Sequence, residues 1–382
     1  ASADNHLGEW LYAVGKKHTR VLVIDRAYLI DPILVRAVLV SPASTILVDT
    51  DAPEPSRDGA QRLTEFGDRT DNTANPGPQS YFCGIVSLEA GAISAKELAG
   101  VSSMRALVQS LLHRKDTVKL DVAGLPTFQS DIRRKRRPVW MRCYNRDRIR
   151  IAKRILVDGA QKGSLDWPAQ WIHAPLENSV VSRICETRVT PNQVTLVTNI
   201  AAWAVTLLFF YGHIMAGLVG AAVVGVLDGL DGKLARVKLM TSKVGEFEHI
   251  FDLVFEYSWW FALGWALSGG DVTSSVFTAT IILILCNLGD SLATVSFLYW
   301  RGRHVGRTLD NYTHTDYLIR KVAGRRNVYI WIMLAGVVIT DPVTAFYVAT
   351  VWAVITVVVR GARAVTHMAS PLVERPADNF LG

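Results

Sequence analysis

The sequence predicts a chain in two parts: an N-terminal α/β domain over residues 1–175 and an all-α membrane domain of six transmembrane helices over 176–382. Three observations carry this division. Hydrophobic residues make up 50% of the 382 positions although 20% are charged, and the two kinds are segregated, the first half reading as soluble and most of the rest as membrane. Residues 20–50 alternate between short β-branched runs and a helical spacing. Six apolar runs then follow, near 193–211, 213–232, 250–269, 273–299, 327–341 and 343–366, each close to the roughly 20 residues that cross a bilayer core.

In the N-terminal part, VLVID and TILVD each close on an aspartate, and DPILVRAVL between them has helical spacing behind a proline start. Strand, helix, strand implies a parallel α/β unit. Residues 51–80 are polar and rich in Pro, Gly and Asp, and read as a loop or poorly ordered insertion. YFCGIVSLEA is a further strand, SAKELAGVSSMRALVQSLLHR one or two helices, and TVKLDVAG another strand. This order resembles the later part of a sugar-type nucleotidyltransferase domain, in which an aspartate after a strand binds metal; Asp25 is the matching position. The glycine-rich G-x-G-x-R loop that would cradle a triphosphate is absent, with about the first third of such a domain. That favours a degenerate domain kept for packing, assembly or regulation. Asp25, Asp49 and Asp51 read equally well as strand-end turn residues and as ligands.

Residues 133–154 form a dense basic run interleaved with Trp140 and Tyr144, suited either to solvent or to anionic headgroups. NSVVSRICETR has the character of an interfacial amphipathic helix. Thr190 then serves as an N-cap with Pro191 at the first helical position. The net charge of +7 is explained by Lys and Arg flanking the spans, and no nucleic-acid-binding motif is present. Four scattered cysteines form neither a metal spacing nor a disulfide framework. The opening ASADNHLGEW lacks the basic and apolar regions of a signal peptide, and its initial Ala points to processing or truncation.

In the membrane half, the loops at 211–213, 268–273 and 340–342 carry no Lys or Arg, whereas 233–249, 301–326 and the tail after Arg360 are basic. The positive-inside rule therefore places both termini in the cytoplasm, and the membrane is the plasma membrane if the source is a prokaryote. Asp228 and Asp231 are three apart; Glu248, Asp252 and Glu256 are four apart, so each set shares a helix face. Two facing helices can converge four carboxylates, which calls for Mg²⁺, Mn²⁺ or Ca²⁺. Carboxylates at membrane depth are costly and mark a functional site by default. Asp290 and Asn287 inside the fourth span read as a helix–helix contact or a cavity wall. Arg320, Lys321, Arg325 and Arg326 read as topology determinants or as an acceptor-phosphate site. Trp259, Trp260 and Trp300 fit packing or an interfacial belt.

DGLDGKLAR, followed by Ser242, Gly245 and a later acidic pair, resembles the CDP-alcohol phosphotransferase signature D-x-x-D-G-x-x-A-R, eight residues, G-x-x-x-D-x-x-x-D. Asp228, Asp231, Gly232, Ala235, Arg236 and Gly245 match in spacing. The tail departs from it: read without a gap, its last positions hold His249 and Leu253, and shifted by one they hold Glu248 and Asp252, which are carboxylates. The resemblance implies Asp228, Asp231, Glu248 and Asp252 as ligands of Mg²⁺ or Mn²⁺, two ions in number, with Asp252 also the general base. It further implies Gly232, Arg236 and Ser242 at the nucleotide and phosphates, with Pro191, Asn192 and Thr195 nearby. His249 flanks the site, and Glu256 tunes the base, binds acceptor or pairs with a lysine. A homodimer, a CDP-linked lipid or alcohol donor, a hydroxyl acceptor and CMP release follow from the same resemblance, with phospholipid biosynthesis as the setting. Two rivals stand beside this transferase. One is a bifunctional enzyme whose N-terminal domain makes the CDP-alcohol; the other is a non-catalytic nucleotide- or lipid-binding membrane protein.

Overall fold

The computed structural model describes Leu7, Leu11, Val14 and residues 18–66, 79–89, 101–129, 134–238, 240, 245–302 and 307–370, with the side chains of 128, 129, 134 and 245–252 excepted. The chain divides into two compact units, residues 1–129 with 136–156, and 130–135 with 157–382. Residues 157–175, which the sequence groups with the N-terminal domain, therefore belong to the helical unit. The reason is contact: a π-helical turn at Ala169–His173 packs on a membrane helix, and Asp166 meets Arg320.

In the first unit, β1 (Arg20–Ile24), β3 (Thr45–Asp49), β4 (Tyr81–Glu89) and β5 (Val118–Asp121) form a sheet in the order β1-β4-β3-β5. The expected parallel neighbours β1 and β3 run the same way but are not adjacent. Strand β4 lies between them, antiparallel to both, and the parallel pair is β3 with β5. Every residue of β4 but Glu89 is buried, as suits a strand paired on both edges. Gly84 has φ +82°, and a Cβ there would meet the Tyr28 ring at 2.3 Å, so glycine is required where the β3–β4 register slips. Helix α1 (Pro32–Val40) starts as its sequence indicates: Asp31 caps Ile33 N–H, and proline fills the first turn. β2 (Tyr28–Ile30) pairs with β6 (Trp140–Arg142). The polar 51–66 stretch contains two short helical turns, Glu54–Arg57 (α2) and Leu63–Phe66; residues 67–78 and 90–100 lie outside the described residues. Helix α3 (Met104–Leu112) buries Leu107, Val108 and Leu111.

The basic run is partly internal rather than a free face. Arg136 pairs with Asp31 at 2.5 Å and Arg137 with Asp49 and Asp51, while Arg148 bonds Asp58 and the Pro55 carbonyl. On α4 (Arg146–Gly159), Arg146, Arg150 and Arg154 remain exposed. Asp25, matched above to a metal-binding position, instead accepts Ala27 N–H in the turn after β1. Asp49 is fully buried between Trp140 Nε1 at 2.7 Å and Arg137. Burial pushes its carboxyl up, against the pull of those two donors. These contacts hold the two aspartates at the ends of β1 and β3.

The helical unit comprises α5 (Ala174–Ile184), α6 (Pro191–Phe210), α7 (Ile214–Lys238), α8 (Gly245–Leu267), α9 (Ser275–Phe297), α10 (His314–Val322), α11 (Arg326–Ile339) and α12 (Pro342–Ala369). Helix α6 packs on α7 and α8, and α12 packs on α9 and α11. Trp259 and Trp260 are both fully buried in the core that Phe209 and Phe346 share, so they serve packing and not a belt; Trp300 is 70% exposed. The Thr190 cap forms a full capping box with Gln193.

Helices cover all six apolar runs, but the count of six spans is not reached among the described residues. Four helices are long and apolar enough: α6, α7, α9 continued to Gly302, and α12. Helices α10 and α11, bent by 43°, supply a fifth if taken as one broken span. Of the other two, α11 alone covers about 21 Å at 1.5 Å per residue, short of a core about 30 Å thick, whereas α8, with 23 residues, is long enough but is not among the four.

Candidate active site

The DGLDGKLAR stretch forms the C-terminal half of α7, where its apolar run gives way to polar side chains. Asp228 and Asp231 lie on one face, as their spacing requires. Asp228 Oδ2 takes a hydrogen bond from Arg326, at the start of α11, at 2.5 Å. Arg326 also lies over the Phe255 ring, 5.2 Å from its centroid. Asp231 is 5% exposed, and its Oδ2 accepts from Thr195 Oγ1 at 2.7 Å. Thr195 of α6 is thereby brought to the acidic pair. Pro191 is buried one turn earlier and Asn192 is exposed. Among the described residues, a Cβ on Gly232 would meet only Arg236 Nη1, at 3.3 Å, which leaves space beside that guanidinium. Arg236 Nε is engaged by the Ala160 carbonyl at 2.7 Å.

Glu248 and Asp252 are carried by α8, one turn apart; their side chains and that of His249 lie outside the described residues, as does Ser242. Asp228 and Asp231 suit a hard divalent ion, being carboxylates presented together on one helix. Among the described residues no group of three or more His, Cys, Asp or Glu is gathered for a metal.

Beside this end of α7 lies a cavity of about 280 Å³. Arg320, Arg325 and Arg326 line it together with Glu256, Asn287, Asp290 and Asp166. Three of the four basic residues singled out in the sequence therefore converge. Lys321 does not join them: its ammonium lies over the Tyr317 ring, 4.8 Å from the centroid. Asp290 both lines the cavity and pairs with Arg360 at 2.5 Å. Glu256 faces the cavity rather than a lysine.

Several side chains here were not found from the sequence. Lys233, fully buried on α7, pairs with Glu177 of α5 at 3.0 Å and donates to Asn178 Oδ1 at 2.6 Å. His173, buried at the end of the π-turn, accepts from Trp331 Nε1 at 3.3 Å. Burial pulls its pKa below the ordinary value, against the nearby Asp166 carboxylate. Asp310 holds three arginines. These pairings join residues far apart in sequence; the lone signal was charge within otherwise apolar segments.

Apolar helices of this length, with a carboxylate pair at the polar end of one of them, mark an integral membrane protein. Residues 188–358 match the family model of the CDP-alcohol phosphatidyltransferases. Among curated proteins, the "Bifunctional IPC transferase and DIPP synthase" of Thermococcus kodakarensis is 28% identical over 199 residues, covering 51% of this chain and 43% of that one. The protein of the same name from Archaeoglobus fulgidus is 34% identical over 110 residues, covering 28% of this chain and 22% of that one. The chain thus spans less than half the length of these relatives. Among solved structures, phosphatidylinositol phosphate synthase of Mycobacterium tuberculosis with CDP-DAG bound is 20% identical, covering 53% of this chain and 98% of that one, with a TM-score of 0.39. The same enzyme in complex with manganese and citrate is 21% identical, covering 53% of this chain and 94% of that one, with a TM-score of 0.38.

Proposed function

We propose that the protein is an integral-membrane transferase that moves a substituted phosphate group from a CDP-linked donor to an acceptor hydroxyl and releases CMP. The observation that carries this is the family domain over 188–358, with its D-x-x-D-G-x-x-A-R stretch set beside a cavity lined by arginines.

In this reading the acceptor oxygen attacks the phosphorus not attached to cytidine. The bond from that phosphorus to the bridging oxygen breaks, its electron pair leaves with CMP, and the acceptor proton passes to Asp252. Asp228, Asp231, Glu248 and Asp252 would hold Mg²⁺ or Mn²⁺. Such ions, two in the fullest form, neutralise charge on the pyrophosphate and on the leaving CMP. Thr195 keeps Asp231 oriented, as an outer hydrogen-bond partner does for a metal ligand. Gly232 gives the nucleotide close approach to the backbone. Arg236 and Ser242 meet its phosphates, and Pro191 and Asn192 lie at its edge. Arg320, Arg325 and Arg326 suit a phosphorylated acceptor, and Glu256, Asn287 and Asp290 suit its hydroxyls. CDP-diacylglycerol or a CDP-alcohol serves as donor, the chain acts as a homodimer, and both termini face the cytoplasm.

The test is CMP release by the purified full chain in detergent with Mg²⁺ or Mn²⁺. CDP-diacylglycerol and CDP-alcohols are offered with a panel of acceptors that includes inositol phosphate and glycerol phosphate. Release is expected with one acceptor, falling by about 10²–10⁴-fold in Asp252→Asn and abolished in Asp231→Asn. Undiminished release in both variants would refute the assignment.

The bifunctional names of the relatives favour a second reading, in which the first unit makes the CDP-linked donor from CTP and a polyol or sugar phosphate. Against it, Asp25 is taken up in a turn, and Asp49 and Asp51 are taken up by Arg137. A CDP product formed from CTP by the full chain would establish it.

A further inference from the structure

Asp310 sits in a short 3₁₀ turn, Leu309–Asn311, between α9 and α10. It is 6% exposed and does not line the cavity. Its Oδ2 accepts from Arg320 Nε at 3.2 Å and Arg325 Nη1 at 3.4 Å; its Oδ1 accepts from Arg360 Nη1 at 2.8 Å. Burial raises its pKa, but the guanidiniums of Arg325, Arg320 and Arg360 outweigh that and hold its carboxyl well below the usual range. Two of these arginines are cavity walls. The third, Arg360, turns its Nε to Asp290 at 2.5 Å, on another wall, and its Nη2 to Thr294 Oγ1 at 3.0 Å. Arg320 Nη1 reaches Asp166 at 3.5 Å, again at the cavity.

We propose that Asp310 is the positioning residue of this cavity. It grips Arg320 and Arg325 at one edge each, and through Arg360 it fixes Asp290, so that a phosphorylated ligand meets preset forks on one wall and a preset carboxylate on another. The physical need is plain. Three guanidiniums drawn together repel, and a free arginine samples many rotamers; one shared carboxylate removes both problems. A planar fork fixed at one edge has its remaining N–H directions fixed as well, and so loses less entropy when it takes a phosphate. This inference rests on the reading of the cavity as the site of the acceptor's phosphate.

The test uses the purified full chain in detergent, with inorganic phosphate as the probe and thermal stabilisation as the readout, alongside CMP release. Asp310→Asn strips the shared counter-charge from three arginines, two of them buried, and is expected to unfold readily. Asp310→Glu keeps the charge but sets the carboxylate one methylene further out, which keeps the fold and misaims the forks. The expected result for Asp310→Glu is phosphate affinity lower by roughly tenfold to a hundredfold. The acceptor KM should rise in step while the donor KM stays put. A purely structural residue would move neither phosphate affinity nor that split. Equal phosphate affinity in wild type and Asp310→Glu overturns the proposal, as does a wild type that phosphate does not stabilise. Phosphate binding that Asp310→Glu weakens, in a protein that releases no CMP from any donor, upholds Asp310 and removes the transferase instead.

Discussion

At the scale of single residues, the Lys233–Glu177 pair is the most exacting contact in the helical unit. Lys233 has no exposure and Glu177 5%, and the two meet at 3.0 Å. Burial pushes the Glu177 carboxyl up, and Lys233 pulls it back. Removing one partner of such a pair leaves a buried charge, whereas replacing both with apolar groups of similar volume is often neutral. Glu177→Gln is therefore expected to lower unfolding stability by about 3–5 kcal/mol. The double variant Glu177→Leu with Lys233→Met should recover most of that loss. Denaturant unfolding of the full chain in detergent measures both. The pair was hidden from sequence reading because Lys233 looks like one more basic residue at the end of a span.

At the scale of elements, α7 is built for close approach. A Cβ on Gly229 would fall 2.1 Å from Glu177 Oε1, and one on Gly225 would fall 2.8 Å from His173 Cε1. Small residues at helix contacts are how membrane helices gain packing without a hydrophobic drive. Gly361 of α12 is different, with nothing among the described residues within 4 Å of its would-be Cβ. Gly361→Ala is expected to add about 0.5–1 kcal/mol through backbone entropy. Gly229→Ala should remove about 1–3 kcal/mol by overpacking α5 despite its better helix propensity. Opposite shifts in the unfolding midpoint check this; equal shifts would show that α5 yields freely.

At the scale of the whole molecule, pH acts through His173. Its folded pKa lies below the ordinary value near 6.5, so below that pH the unfolded chain binds the extra proton. Stability is thus full above pH 6.5 and declines as pH falls through 6.5 towards the depressed folded value. His173→Gln should flatten the decline, as read from midpoints at pH 7.5 and 5.5. Asp310 works in a lower window: its pKa is depressed, so its contribution is complete above about pH 4 and lost only in stronger acid. Much of this fold is legible in the sequence. The strands at Thr45–Asp49 and Tyr81–Glu89, the Thr190 cap and the helical character of the apolar runs are local patterns, set by periodicity and capping chemistry. What escapes is set by pairing at a distance. No local pattern tells that β4 separates β1 from β3, that Arg326 reaches Asp228, or that one carboxylate in a 3₁₀ turn holds three arginines. The acidic face of α7 could be read because its spacing is its geometry; the cavity could not, since its walls come from four helices and two connecting segments.

The buried lysine also bears on how the protein is made. A lone charged side chain at the centre of a membrane helix costs about 2.5–3.5 kcal/mol to insert, less towards the ends. Lys233 lies near the end of α7, and its partner carboxylate is on α5, which leaves the ribosome first. Chain order thus makes the anion available before the cation, so the Lys233–Glu177 pair is free to form as α7 inserts and to spare the lysine that cost.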